Sequence, residues 1–173
     1  FDWEYQNKKG YQVLKDQTPI TFYKDHVSFD VNDYYCLIND PRKNHPYNNL
    51  YTVKYLGNVV EGYKVRYLNL PIERLKEVTK KSLLDNNPVW FGCDVGKEHL
   101  KSSAVMDLNL LSYEIPLETK FDLTKEERLE YKQSLMTHAM VFTGCNIIQE
   151  HNTVCGDRTN VNRWEVENSW AEK

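Results

Sequence analysis

His138-Ala139-Met140-Val141-Phe142-Thr143-Gly144-Cys145 and Asn162-Arg163-Trp164-Glu165-Val166-Glu167-Asn168 are two strand-like stretches near the end of the sequence. In the second, Trp164 and Val166 alternate with Arg163, Glu165 and Glu167, the period-two pattern of a strand with one apolar face. The first reads as a strand as well. An antiparallel hairpin with His138 opposite Asn168 brings Met140 to Val166, Phe142 to Trp164 and Gly144 to Asn162. Directly opposed residues share a face, so that face is apolar and ends in an imidazole beside a carboxamide. A carboxamide oxygen can accept from one ring N–H, fix the tautomer and leave the other ring nitrogen for a nucleophile. A bulge near Gly144 would shift the register further along without disturbing the His138 end.

Outward from this hairpin, Thr124-Lys125-Glu126-Glu127 is a capping box that starts a helix over about 125–135. Val89-Trp90-Phe91-Gly92-Cys93 is a short apolar strand after Pro88, opening into Asp94-Val95-Gly96-Lys97. Before it, Pro71 suits a first helical position, and Ile72, Leu75, Val78 and Leu83 recur at helical spacing, which predicts a helix over about 71–85. Upstream, a short helix is expected near Pro19 to His26, then loop, then strands over Leu50 to Tyr55 and Tyr63 to Leu68. The segment from about Ile148 to Asn160 reads as a solvated polar loop. It holds His151, Cys155, Asp157 and Arg158, but two metal-type ligands in a loop do not complete a tetrahedral site.

The chain has 173 residues, and 22 basic side chains against 25 acidic ones leave a formal charge of −3. Lys24, Lys54, Lys64 and Lys80-Lys81 are scattered among acids, so there is no basic footprint for nucleic acid. With 40% hydrophobic and 13% aromatic residues the composition excludes disorder. A chain of this length is expected to bury a core without staples. No apolar run approaches a membrane span, and Phe1-Asp2-Trp3-Glu4-Tyr5 lacks the charged-then-apolar order of a signal peptide. Cys36, Cys93, Cys145 and Cys155 have no Cys-X-X-Cys spacing, and no Asn-X-Ser/Thr acceptor occurs. Reduced cysteines in a cytoplasmic protein are expected, with Cys93 and Cys145 buried in apolar strands.

Ser134-Leu135-Met136-Thr137-His138-Ala139-Met140 and Glu167-Asn168-Ser169-Trp170 resemble the His and Asn blocks of papain-like cysteine peptidases. Pro88-Val89-Trp90-Phe91-Gly92-Cys93-Asp94-Val95-Gly96-Lys97 and Leu37-Ile38-Asn39-Asp40-Pro41-Arg42 are similar to the bleomycin hydrolase and aminopeptidase C branch in particular. The resemblance runs from Phe1 onward. It implies an α+β class, with residues 1–173 forming one incomplete domain: part of a papain-like fold, an antiparallel barrel-type sheet with flanking helices. It also implies His138 as catalytic imidazole, Asn168 as its orienting partner and Trp170 as a cover over their hydrogen bond. The family pattern has Gly after this Trp, whereas Ala171 stands here.

The resemblance further implies a cysteine aminopeptidase acting on peptide or aminoacyl-amide substrates through an acyl-enzyme, without metal or cofactor, and assembled as a homohexamer. None of the four cysteines lies in the Gln-Gly-X-Cys-Trp-like block that carries the family's nucleophile. The chain is therefore read as the part bearing His and Asn, its nucleophile supplied from elsewhere. The rival reading is a non-catalytic scaffold or interaction module of the same fold.

Overall fold

The computed structural model describes residues 1–57, 59–110, 112–150 and 158–170, which fall into two compact units, Phe1–Tyr35 and Cys36–Lys173. In the first, strands β1 (Trp3–Asn7) and β2 (Gly10–Leu14) form an antiparallel hairpin, followed by helix α1 (Pro19–His26). The hairpin is absent from the sequence-based expectation. Its turn closes on Gly10, whose φ of +100° a side chain would resist. The helix starts where Thr18 and Thr21 cap each other reciprocally ahead of Pro19. Trp3 packs edge-on against Phe22, with ring centroids 4.8 Å apart.

The second unit begins with a small sheet in which β5 (Tyr67–Asn69) lies between β3 (Cys36–Ile38) and β4 (Leu50–Tyr51). The β3–β5 pair is parallel and the β4–β5 pair antiparallel. The strands expected over Leu50–Tyr55 and Tyr63–Leu68 are shorter and, in the second case, displaced. Between them Tyr55 and Glu61 take φ of 65° and 63°, which ends extended chain.

The last residue of β5, Asn69, is fully buried. Its amide nitrogen donates to the carbonyls of Asp40 and His45 at 2.8 and 2.7 Å, and its oxygen accepts from the Asp40 N–H at 2.8 Å. The Asp40 carboxylate in turn holds Arg42 through two guanidinium nitrogens, at 2.9 and 2.6 Å. The Arg42 hydrogen bond, opposed by burial, keeps the Asp40 carboxyl below its ordinary range. A lowered carboxyl stabilises the fold above the unfolded-state pKa, and that contribution is lost as pH falls through the folded-state value. Asp40→Asn is therefore expected to cost about 1 kcal/mol at neutral pH. In acid the variant and the native protein should converge, as urea midpoints measured across pH would register.

Helix α2 (Ile72–Leu84) matches its expected span and packs against two strands of the larger sheet, β6 (Val89–Cys93) and β9 (His138–Glu150). Next come the short hairpin β7 (His99–Leu100) and β8 (Val105–Met106), one turn of helix α3 (Glu114–Leu117), and α4 (Lys125–Glu130). The capping box of Thr124 and Glu127 opens α4 as expected. The helix stops at Glu130, short of 135, because Lys132 turns left-handed at φ 57°.

The larger sheet runs β10-β9-β6, with β9 spanning His138–Glu150 and β10 Arg158–Glu167, both pairs antiparallel. These strands reach into the segment read as loop: residues 148–150 and 158–160 are ladder. Residues 151–157, with His151, Cys155 and Asp157, and residue 171, with Ala171, lie outside the described residues.

The expected register is corrected. Glu167 pairs with Val141 and Val166 with Phe142, so Asn168 falls beside Met140 in sequence with the ladder and not beside His138. A two-residue slip preserves side-chain parity, so the imidazole and carboxamide stay on one face. The bulge expected near Gly144 is present: beyond Val166 the ladder shifts, and Trp164 opposes Cys145 rather than Phe142. Glu165 lies so close to Gly144 that a Cβ there would meet its Oε2 at 2.7 Å. The Phe142 and Trp164 rings still touch, centroids 5.2 Å apart, and Phe142 stacks on Phe91 at 3.7 Å.

Among the described residues the sheet is three strands wide and open, without the closure of a barrel. The core is thinner than expected from chain length. Val95 and Met140 are its buried apolar side chains, while Trp90 is 78% exposed and Tyr63 96%. No described helix is long and apolar enough to cross a membrane.

Candidate active site

His138 opens β9, and Asn168 follows directly on the last residue of β10. The two strand ends bring them together: His138 Nε2 and Asn168 Oδ1 lie 2.8 Å apart in a half-buried setting. An amide oxygen only accepts, so the contact requires a proton on Nε2 and leaves Nδ1 as the ring nitrogen turned away from the carboxamide. This is the reach expected from the sequence, achieved on the diagonal of the ladder instead of straight across.

The Trp170 indole stacks on the His138 ring, at 5.0 Å between centroids and 27° between planes. The other side chains around it are not signalled by the sequence. His99 meets the same indole at 5.3 Å, and the Lys101 ammonium lies 6.0 Å from its centroid. Beside Asn168 a depression of about 350 Å³ opens between Trp90, Val141 and Glu167.

The backbone entering His138 is tied down by the turn after β6. Asp94 Oδ2 accepts from the Leu135 N–H at 3.3 Å, and the Val95 N–H donates to Thr137 Oγ1 at 3.3 Å. The Thr137 N–H donates to the Cys93 carbonyl at 3.0 Å. Burial pushes the Asp94 carboxyl up, but the Leu135 N–H and the Lys97 ammonium, 3.4 Å away, outweigh it and hold it below its ordinary value. Gly92 has no side chain, and Met136 occupies the space that a Cβ there would need.

Among the described cysteines, Cys93 stands directly opposite His138 in the β6–β9 ladder. It is not disposed as a nucleophile. Burial and the neighbouring Asp94 carboxylate raise its thiol pKa, the reverse of what a reactive thiolate needs, and it ends a strand instead of starting a helix. Cys93 and Cys145 are free, as expected, but half-buried where full burial was anticipated. Both lie in a sheet too thinly covered to bury them. Cys36 is free and exposed, on β3.

The chain is 44% identical over its whole length to aminopeptidase C of Listeria innocua, and 45% identical over 99% of it to human bleomycin hydrolase. It spans 37% of the length of each of these curated relatives. The crystal structure of PepW from Lactobacillus rhamnosis HN001 superposes on all of the chain with a TM-score of 0.87 at 42% identity, again over 37% of that protein. The sequence model of the Peptidase C1-like family matches residues 1–173. A match from first residue to last, carried by a fold this similar, makes the chain a member of the peptidase C1-like family.

Proposed function

We propose that these 173 residues carry the imidazole and carboxamide of a cysteine aminopeptidase, His138 as general base and Asn168 as its orienting partner. The observation that carries the reading is the 2.8 Å contact from His138 Nε2 to Asn168 Oδ1, beneath Trp170, in a chain of this family. In the reaction, the free Nδ1 of His138 takes the proton of a thiol supplied from outside these residues. The thiolate adds to the carbonyl of the first peptide bond. The imidazolium then protonates the leaving amine, and the acyl-enzyme is hydrolysed by water that His138 activates. Asn168 keeps the ring in the tautomer and plane this exchange requires, and Trp170 keeps water off the hydrogen bond.

Within this reading the chain is one part of a larger peptidase domain, its open sheet a portion of a barrel-type sheet. The many exposed large apolar side chains support that, since a self-contained domain of this length would cover more of them. The resemblance extends the proposal to peptide and aminoacyl-amide substrates, a cytoplasmic setting and a homohexamer.

The test is release of coumarin from aminoacyl-coumarins by the full-length protein. Activity abolished by a thiol-alkylating reagent is expected. In the same assay Asn168→Ala should retain a rate about tenfold to a hundredfold lower, since the ring still samples the productive rotamer. A full-length protein inert to every aminoacyl-coumarin and to peptides would favour the scaffold reading instead.

A further inference from the structure

We propose that His99 is a positioning residue for the His138–Asn168 pair, acting by holding the Trp170 indole against the His138 imidazole; this rests on the cysteine-peptidase reading above. Trp170 lies three residues past the end of β10, and the last ladder pair is Glu167 with Val141. Strand pairing therefore does not hold the indole, and at 46% exposure the surrounding surface covers only part of it. What remains are the rings on it: His138 at 5.0 Å, stacked, and His99 at 5.3 Å, tilted by 56°, with the Lys101 ammonium at 6.0 Å.

His99 reaches this position by a route that ties it to His138. It opens β7, directly after the turn that leaves β6, and that turn is the one gripping the lead-in to β9. Asp94 takes the Leu135 N–H, Val95 gives its N–H to Thr137, and the Val95 side chain is buried at 9% exposure. The β7–β8 pairing, with His99 opposite Met106, and the Asp107 N–H bond to the Glu98 carbonyl brace the other side of His99. The two imidazoles touching Trp170 thus stand on backbones bonded to each other. The indole is held by both, and its place over the Nε2–H bond is set by their spacing. Without the His99 ring the indole has one ring contact left and can swing toward solvent. Water then competes for the Nε2 proton, and His138 spends less time in the plane that presents Nδ1 to a thiol.

The experiment uses the full-length protein and compares His99→Ala, which removes the ring, with His99→Phe, which keeps an aromatic contact. The readouts are kcat and KM on an aminoacyl-coumarin and the NMR signal of the His138 ring proton, which exchanges slowly while covered. His99→Ala is expected to lower kcat about tenfold with KM nearly unchanged, and to bring that proton into fast exchange with water. His99→Phe should restore both. Where the alanine variant does not fold, His99→Gln takes its place with the same expectations. Native kcat and slow exchange in the ring-less variant, or a phenylalanine variant as impaired as it, overturns the positioning role. Undiminished turnover in His138→Ala overturns instead the underlying reading.

Discussion

Full-length protein carrying His138→Ala should lose turnover of aminoacyl-coumarins by about 10⁵-fold or more, the scale of removing the base from a nucleophile–imidazole unit. On the proposed mechanism the loss is that large because His138 would act twice, as acceptor of the thiol proton and as donor to the leaving amine. Of the described imidazoles, His99 contacts Trp170, and the Asn168 oxygen is committed to His138. The same logic predicts that the 173-residue chain alone hydrolyses no aminoacyl amide. An imidazole beside a carboxamide supplies base and orientation, worth about 10² to 10⁴-fold, far short of an enzyme's usual acceleration. Among the described cysteines, Cys36 and Cys145 lie in strands and Cys93 at a strand end with its thiol pKa raised. Assaying the isolated chain, the full-length protein and its His138→Ala variant side by side checks both statements. Thiol-blockable activity in the isolated chain would identify one of its own cysteines as a nucleophile.

Asn69→Ala is expected to destabilise the full-length protein by about 3 kcal/mol or more, an effect on stability far larger than that of Asp40→Asn. The Asn69 amide, itself fully buried, answers three backbone groups at once, the Asp40 N–H and carbonyl and the His45 carbonyl. Truncation removes the partner of all three and leaves a gap in its place. Asn69→Asp should do no better, because a carboxylate cannot donate to the two carbonyls. The turn that Asn69 organises also bears Asn39, whose amide donates to the Leu70 carbonyl and whose oxygen accepts from Lys125 of α4 at 2.7 Å. Urea unfolding followed by tryptophan fluorescence would report the loss, and an unchanged midpoint in Asn69→Ala would show that the turn stands without its amide.

How much of this was legible beforehand depends on the range of the interaction. Helix α2, the capping box of Thr124 and Glu127, the strand at Val89–Cys93 and the shared face of His138 and Asn168 are all written in short spacings. A cap needs only its third neighbour, and side-chain parity survives any even slip of register. The proposed site residues were reached through local words around His138, Asn168 and Trp170 that resemble a known family. What the tertiary structure alone decided is long-range. The residue-by-residue register, with ladder shifts between Val161 and Arg163 and between Glu165 and Val166 and with Phe142 stacked on Phe91, was decided there, since period-two alternation fixes parity but not which residue stands opposite which. Cys93 came opposite His138, and His99 came to Trp170, across 45 and 71 positions of chain, because a turn anchored by Asp94 and Val95 folded them there. Asn69 is one polar residue among many in the sequence. Its importance arises only once a turn some thirty residues earlier closes over it and leaves three backbone groups with no other partner.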